Sequence, residues 1–293
     1  MESNWNEIAG ELNYAVKNYT GITNQIVQIK NRGYAYGIDS EHEELIHGKK
    51  DKAGKMKMQG LESIKGMAGR HILRIIKDFP IWNEWLDNVP GIGPVIGGQL
   101  IKLYYFKSMT ICSKCGEDMP EKKKGIEWRC LHCKTIAKGQ GVLKYRIELR
   151  EFPTISSWWH FMGRANDPNT GNIPKMKSGE KIDWNPTGKK LGFDFKESVN
   201  KFKSDHNYKA FAEKRKKYRE RTHPDASKGH RHNMAWNESW KLFLSHFWQV
   251  DHILSGAEMT EPWCVQHGSH DKSSMIAPYY FNGYSQGSNV NQS

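Results

Sequence analysis

The sequence predicts a mainly α-helical fold with one small β module inserted into it. Apolar residues recur at steps of three and four over much of the chain, which is the spacing of amphipathic helices. A Gly- and Pro-rich turn at 90–94 lies between two such patterns, and two Cys-x-x-Cys pairs at 112–133 form a compact module of another kind. The chain has 293 residues, enough for one large or two modest domains.

The first part of the chain has two helical patterns separated by a polar stretch. Residues 5–29 have helical spacing, although Gly21 leaves two shorter helices open as an alternative. Residues 31–60 contain few apolar anchors and predict a loop or a mobile arm. A further helix is predicted at 61–79, because Pro80 cannot continue it.

The last part of the chain contains a basic and an aromatic helical pattern. A basic helical stretch is predicted at 192–221, an amphipathic helix at 230–249 and a frayed polar tail from about 272 onward. The predicted segments are an N-terminal helical region 1–84, a helix-hairpin-helix 85–107, an insertion 108–140, a helical domain 141–250 and a polar tail 251–293.

The turn at 90–94 has the pattern of a helix-hairpin-helix motif. Gly91 and Gly93 flank Ile92 and predict a tight hairpin with positive φ, and Gly97 is a small residue that allows two helices to pack closely. The backbone amides that begin the following helix would then face a phosphate oxygen. The alternative is a Gly-rich loop that only joins two core helices.

The four paired cysteines predict a zinc ribbon. Cys112, Cys115, Cys130 and Cys133 form two Cys-x-x-Cys pairs separated by fourteen residues, which suits a tetrahedral site of four thiolates. Such a site has no open coordination position, so the zinc would be structural. A redox pair is the alternative, and it would leave the second pair unexplained. The ribbon could contact DNA or act only as a stabilising insertion.

Positive charge is concentrated in one segment. The chain has a net charge of +12, and residues 175–221 contain fifteen Lys and Arg against seven Asp and Glu, a net charge of +8. This concentration favours a nucleic-acid partner over a plain solvated face. The predicted DNA-binding residues are Gly91, Ile92 and Gly93 of the hairpin together with Lys175, Lys177, Lys181, Lys189, Lys190, Lys214 and Arg215.

The location predicted from the sequence is the cell interior. The first ten residues are polar and acidic and do not resemble a signal peptide, and no apolar run approaches the ~20 residues that span a bilayer. The cysteines are paired closely rather than scattered as in a secreted disulfide scaffold. These features predict a cytoplasmic protein, associated with the nucleoid or, for a viral protein, located within a host cell.

The order of these motifs resembles the C-terminal domain of the RNA-bridge-guided insertion-sequence transposases, which have a DEDD-type N-terminal nuclease domain. The resemblance covers about 85–250, with the zinc ribbon as an insertion. It rests on the hairpin at 89–101, Phe152-Pro153 through Trp158, Met162-Gly163, Ser178-Gly179, Gly188-Lys189-Lys190-Leu191 and the helical stretches 208–221 and 230–249.

The resemblance implies a role for Ser178, which stands where the family has the serine that attacks a DNA phosphate. Lys175, Lys177 and Lys181 could stabilise charge there, with Mg²⁺ as a further cofactor if the chain is catalytic. Two departures matter: residues 1–84 are too short and too helical for the family's nuclease domain, and the loop around Ser178 is diverged.

The function expected from the sequence is therefore DNA binding related to transposition or recombination. A separate nuclease chain could supply the missing acidic site, and oligomers are possible. One alternative is an enzyme, a serine-dependent DNA strand transferase that uses Ser178. Another is an RNA-binding scaffold of a mobile element or virus. The sequence leaves open whether the protein is an enzyme.

Overall fold

The structure is a computed structural model that describes residues 2–37, 40–119, 129–136, 143–167, 171, 173–176, 178–202, 207–260 and 275–283. The described residues form the α-helices α1 (Glu2–Tyr36), α2 (Ser40–His47), α3 (Leu61–Ile76), α4 (Pro80–Glu84), α5 (Pro94–Tyr105), α6 (Ile155–Phe161), α7 (Pro186–Asn200), α8 (Asn207–Thr222) and α9 (Lys228–Ser255), a 3-10 helix (Leu86–Asn88) and the strands β1 (Gly48–Lys50), β2 (Met56–Gln59), β3 (Phe106–Cys112) and β4 (Leu143–Leu149).

The prediction of a mainly helical protein is confirmed. The strands of the described residues form only two small antiparallel sheets, β1 with β2 and β3 with β4. The chain divides into two compact units, Met1–His71 with Ile101–Glu151, and Ile72–Leu100 with Phe152–Ser293. The unit boundaries fall inside α3 and α5, so these units do not follow the predicted segment boundaries.

In the first unit, α1 is one continuous helix that passes through Gly21, the position at which the sequence left a break open. The β3–β4 pair runs in register from Phe106 opposite Leu149 to Cys112 opposite Leu143. The last pair of this ladder therefore contains the first cysteine of the module. The prediction of an inserted small β module is consistent with this antiparallel stalk.

The loop predicted at 31–60 is wrong over most of its length, because α1, α2 and the β1–β2 hairpin occupy it. Two glycines of this segment permit close backbone contacts. A Cβ at Gly48, where φ is +83°, would lie 2.3 Å from the carbonyl oxygen of Met58. A Cβ at Gly60 would lie 2.4 Å from the carbonyl oxygen of Ile46.

The core of the second unit is aromatic and is organised along α9. Trp85 stacks on Phe243, with ring centroids 5.3 Å apart, and Trp240 stacks on the same ring at 5.4 Å. The indole N–H of Trp248 donates to the carbonyl of Phe152 at 2.7 Å. Large rings bury much apolar area, so the Trp-rich composition is used as core.

The basic helical stretch predicted at 192–221 is two helices, α7 and α8. Asn185 caps the first turn of α7 through its side-chain oxygen and Pro186 follows at the first helical position, so the helix begins before residue 192. The ammonium group of Lys209 in α8 donates to the carbonyl of Asn200, the last residue of α7, and to that of Phe202 beyond it. The first of these bonds satisfies one of the carbonyls that the end of a helix leaves without a partner.

The polar tail predicted at 251–293 is also different in the structure. Helix α9 extends to Ser255, and residues 275–283 pack on the core of the second unit. The indole of Trp85 donates to the carbonyl of Tyr279 at 2.7 Å. Buried His246 lies 3.0 Å from the carbonyl of Ile276 through Nε2 and 2.7 Å from the Tyr208 hydroxyl through Nδ1.

The state of His246 follows from its burial. Burial lowers its pKa to about 3, so the ring is neutral at physiological pH. A neutral ring has one donor and one acceptor, and a backbone carbonyl can only accept. The Nε2–H therefore donates to Ile276 and Nδ1 accepts from Tyr208, which fixes the tautomer and holds the tail segment to the core.

In the described part of the chain, no helix combines the length and the apolar character that a membrane-spanning segment requires.

Candidate metal centre and nucleic-acid interface

The four cysteines of the two pairs come together at the end of the β3–β4 stalk. Their sulfur atoms all lie within 4.8 Å of one another, with 3.5 Å between Cys112 and Cys133 and 3.6 Å between Cys115 and Cys130. All four are free thiols. Ligands at ~2.3 Å from a tetrahedral zinc are separated by about 3.8 Å, so these four sulfur atoms could hold a metal ion of that size.

The two Cys-x-x-Cys turns are built in the same way. The amide of the first cysteine donates to the carbonyl five residues later, from Cys112 to Glu117 and from Cys130 to Thr135, both at 2.9 Å. The carbonyl of the same cysteine accepts from the amide four residues later, that of Gly116 in one turn and that of Lys134 in the other. Each turn thus points two sulfurs to one side of its backbone.

The sulfur cluster cannot carry four negative charges without a cation. Hydrogen bonds from Thr135 lower the pKa of the Cys133 thiol to about 6. A bond from the Glu117 amide lowers the pKa of the Cys115 thiol, but desolvation and the other three sulfurs outweigh it and raise that pKa to about 12. Opposite shifts in one cluster are the expected result when like charges share a site. A divalent ion removes this conflict by neutralising the thiolates.

The equivalence of the two turns reveals one strained position. The residue four places after the first cysteine has positive φ in both, +78° at Gly116 and +61° at Lys134. Glycine adopts this region freely, whereas a side chain costs about 1 kcal/mol.

We expect Lys134→Gly to tighten the metal centre. The substitution removes the backbone strain and loses an exposed hydrogen bond to the carbonyl of Leu131, so the net gain in stability is a few tenths of a kcal/mol to about 1 kcal/mol. The rate at which a chelator removes the metal measures this gain, and we expect a slower rate in Lys134→Gly. Lys114→Gly is the matched control, since it removes the same charge at a position without positive φ. A faster loss of metal from Lys134→Gly would contradict the assignment of strain.

The predicted hairpin connects the 3-10 helix to α5 within the second unit. Gly91 has φ of +90°, as the sequence predicts, and a Cβ there would lie 3.1 Å from the Cα of Val199 in α7. The hydroxyl of Ser198 donates to the carbonyl of Gly91 at 2.6 Å. The Ile92 side chain is buried, so only the backbone at this position could contact a ligand.

The positive φ predicted at Gly93 is wrong. Gly93 precedes α5, its carbonyl accepts the amide of Gly97 at 2.9 Å, and a Cβ there would have nothing within 4 Å. The residue that caps a helix in this way usually has an extended conformation that any amino acid can adopt. Gly93 is therefore an open, exposed position beside the first amides of α5.

Several cations that the sequence assigned to DNA have partners inside the protein. The ammonium group of Lys189 donates to the carbonyl of Pro174 and lies 4.5 Å from the ring centroid of Trp184. Lys190 pairs with Asp194 at 2.8 Å. Arg215 pairs with Glu238 of α9. Lys175, Lys181 and Lys214 are exposed, and Lys177 lies outside the described residues.

Helix α8 carries a row of exposed cations, of which the sequence analysis singled out only Lys214. Lys214, Lys217 and Arg221 are spaced by three and four residues, so they lie on one face of the helix, and all three are exposed. Within the described chain, none of them pairs with a carboxylate, whereas Arg219 joins Arg215 on Glu238. We call these three residues the α8 stripe. The period of the helix could have revealed it, but the position of Glu238 could not be known.

Ser178 lies in an exposed turn with Gly179, whose φ is +82°. The serine hydroxyl makes no hydrogen bond among the described residues, so no side chain in that part of the structure is positioned as its base. The two exposed lysines nearest in sequence are Lys175 and Lys181. Positive charge near the serine could therefore attract a phosphate. Among the described residues, no group is placed to activate the Ser178 hydroxyl.

No protein-family model, curated protein or solved structure matches this chain.

Proposed function

We propose that this protein binds DNA through its second unit and carries a structural zinc ion on the ribbon of its first unit. The observation that carries the proposal is the α8 stripe, three exposed cations that no carboxylate of the described residues neutralises. Seven residues of helix rise by about 10 Å, which spans roughly three phosphates of one strand at ~3.4 Å each along the axis. The proposed role is in transposition or recombination, in keeping with the resemblance of the motif order.

The test replaces the α8 stripe by alanine in the triple variant Lys214→Ala, Lys217→Ala, Arg221→Ala. We expect DNA affinity to fall by roughly tenfold or more for every duplex sequence, because phosphate contacts carry no sequence information. The slope of log affinity against log salt should become less steep by about 2 to 3, since each lost contact removes about 0.9. Fluorescence anisotropy on a labelled duplex at several salt concentrations measures both.

The matched control removes three exposed lysines from the β1–β2 hairpin of the first unit, in the variant Lys50→Ala, Lys52→Ala, Lys55→Ala. Its net charge equals that of the stripe variant. If the two variants bind DNA equally well and with equal salt slopes, only net charge matters and the stripe is not the interface. If wild-type protein has no measurable affinity for duplex DNA at low salt, the proposed function is wrong.

A substitution at Gly93 tests whether the start of α5 also contacts a phosphate. Aspartate is a better capping residue than glycine, so Gly93→Asp should raise thermal stability by a few tenths of a kcal/mol. A carboxylate beside the helix start should repel a phosphate, so the same variant should bind DNA more weakly. Gly93→Asn is the control, because it caps without a charge. If Gly93→Asp has unchanged DNA affinity, the hairpin does not contact DNA and only joins two core helices.

The metal proposal rests on the chemistry of the four ligands. Thiolates are soft ligands that suit zinc, and four of them close the coordination sphere. With no open position, zinc would stabilise the ribbon and take no part in a reaction. Cys112 and Cys115 on one turn and Cys130 and Cys133 on the other would each supply one sulfur.

A further inference from the structure

A buried arginine lies between α6, α7 and α9 of the second unit. Arg164 follows α6 and is only 6% exposed. Its guanidinium donates to the side-chain oxygen of Asn237 at 2.7 Å and to the carbonyl of Lys189 at 2.9 Å. Both acceptors are neutral. The Nε atom is buried and has no hydrogen-bond partner among the described residues.

Two lysines share this region with the arginine. Lys189 is half-buried on the ring of Trp184, and Lys175 is exposed on the preceding loop. Burial lowers the pKa of Lys189, and the positive charges of Arg164 and Lys175 lower it further, so each of these two cations lies close enough to Lys189 to repel it. Among the described residues, none of the three forms an ion pair with a carboxylate.

An uncompensated buried charge is costly. Moving a charged side chain out of water costs several kcal/mol unless an opposite charge or good hydrogen bonds replace the solvent. Burial lowers the pKa of Arg164 to about 10, which leaves it charged at pH 7. The described part of the protein therefore keeps Lys189 beside two like charges, one of them buried, and supplies no carboxylate to balance them.

We infer that Arg164, Lys175 and Lys189 form an anion site that takes a phosphate of the DNA backbone. This inference rests on the proposed function and adds a second contact region to the α8 stripe. Lys175 and Lys189 reach the surface and would contact the phosphate oxygens, because a lysine ammonium binds phosphate as a point charge. Arg164 is a positioning residue. It donates to the backbone carbonyl of Lys189, and its buried charge makes the electrostatic potential at the site more positive.

The first experiment uses the full-length protein and inorganic phosphate as the probe. We expect phosphate to raise the melting temperature by about 3 °C above chloride at equal ionic strength, since binding to the native state alone stabilises it. Lys189→Met, which removes the charge and keeps an unbranched side chain of similar length, and Lys175→Ala should each lose most of this shift. Lys190→Ala is the control, because it removes one charge from the next residue, which already pairs with Asp194.

Substitutions at Arg164 distinguish an effect on phosphate binding from an effect on folding. Arg164→Met removes the buried charge and also leaves the side-chain oxygen of Asn237 and the carbonyl of Lys189 without this donor. Its own melting temperature in chloride is therefore the reference, against which Arg164→Met should show no phosphate shift, while Arg164→Lys should retain part of the shift. A full phosphate shift in Arg164→Met, or equal melting of the wild-type protein in phosphate and chloride, would overturn the site.

The second experiment asks whether the phosphate belongs to DNA. We expect Lys189→Met and Lys175→Ala to weaken duplex binding by several-fold, and Lys190→Ala to leave it unchanged. A phosphate shift that these variants abolish without any change in DNA affinity would overturn the assignment to DNA in favour of a free anion. The proposed function is tested separately by the α8 stripe, so a stripe effect with no effect at Lys175 and Lys189 would reject this inference alone.

Discussion

Removal of the proposed zinc ion, either by a chelator or by Cys130→Ser, is expected to unfold the ribbon. A structural zinc contributes on the order of 10 kcal/mol in zinc-finger peptides, comparable with the ~5–15 kcal/mol that holds a whole domain. Without the ion, the four sulfurs at the end of the β3–β4 stalk would either repel one another or stay protonated. Elemental analysis should find one zinc per chain, and protease cleavage between 112 and 133 should accelerate once the ion is lost.

The control for this prediction is Cys264→Ser, which removes the one cysteine outside the two pairs. It should retain one zinc and the wild-type cleavage rate. Duplex binding should survive in Cys130→Ser, because the α8 stripe belongs to the other unit. Protein purified without chelator that contains no zinc would contradict the metal proposal. Protein that loses its zinc with no change in cleavage would contradict the structural role.

Gly97→Ala is expected to destabilise the second unit strongly for a change of one methyl group. A Cβ at Gly97 would lie 2.3 Å from Cζ3 and 2.8 Å from Cε3 of Trp82, a ring that is only 2% exposed. Overpacking a rigid core costs about 1–3 kcal/mol, and it outweighs the ~1 kcal/mol that alanine gains over glycine in a helix. Thermal unfolding should show a fall of several degrees.

Gly229→Ala in α9 is the matched control, because a Cβ there has nothing within 4 Å. Its melting temperature should rise slightly, since only the helix propensity changes. The two substitutions are chemically identical and opposite in expected sign. A melting temperature of Gly97→Ala equal to or above that of the wild type would show that Trp82 can move, and that the close approach at α5 is not needed.

Features that depend on neighbours in the sequence were predictable. The spacing of two cysteines within each pair fixes a tight turn whatever the rest of the chain does, and the four sulfurs meet as expected. Gly91 has positive φ and Gly97 allows close packing, both of which follow from the absence of a side chain. Gly93 shows the limit, because a glycine in a turn can also serve as an ordinary helix cap.

Features that depend on distant partners were not predictable. Arg215 and Lys217 are two residues apart on a basic helix, yet only Arg215 meets the carboxylate of Glu238, which is twenty-three residues from it. The segment 275–283 falls in the part of the chain predicted as a frayed tail, but the carbonyls of Ile276 and Tyr279 accept hydrogen bonds from buried rings. Such contacts require side chains that come together only when the helices pack.

The sequence by itself determined the helical class, the place and spacing of the four cysteines, and the excess positive charge of 175–221. These follow from local periodicity, covalent spacing and composition, which folding does not change. The tertiary structure alone decided which of those charges remain available, because α9 neutralises Arg215 and Arg219 and leaves the α8 stripe exposed. It also decided that Arg164 is buried without a carboxylate partner in the part of the chain that the structure describes, since burial and pairing are set by elements that are far apart in the chain.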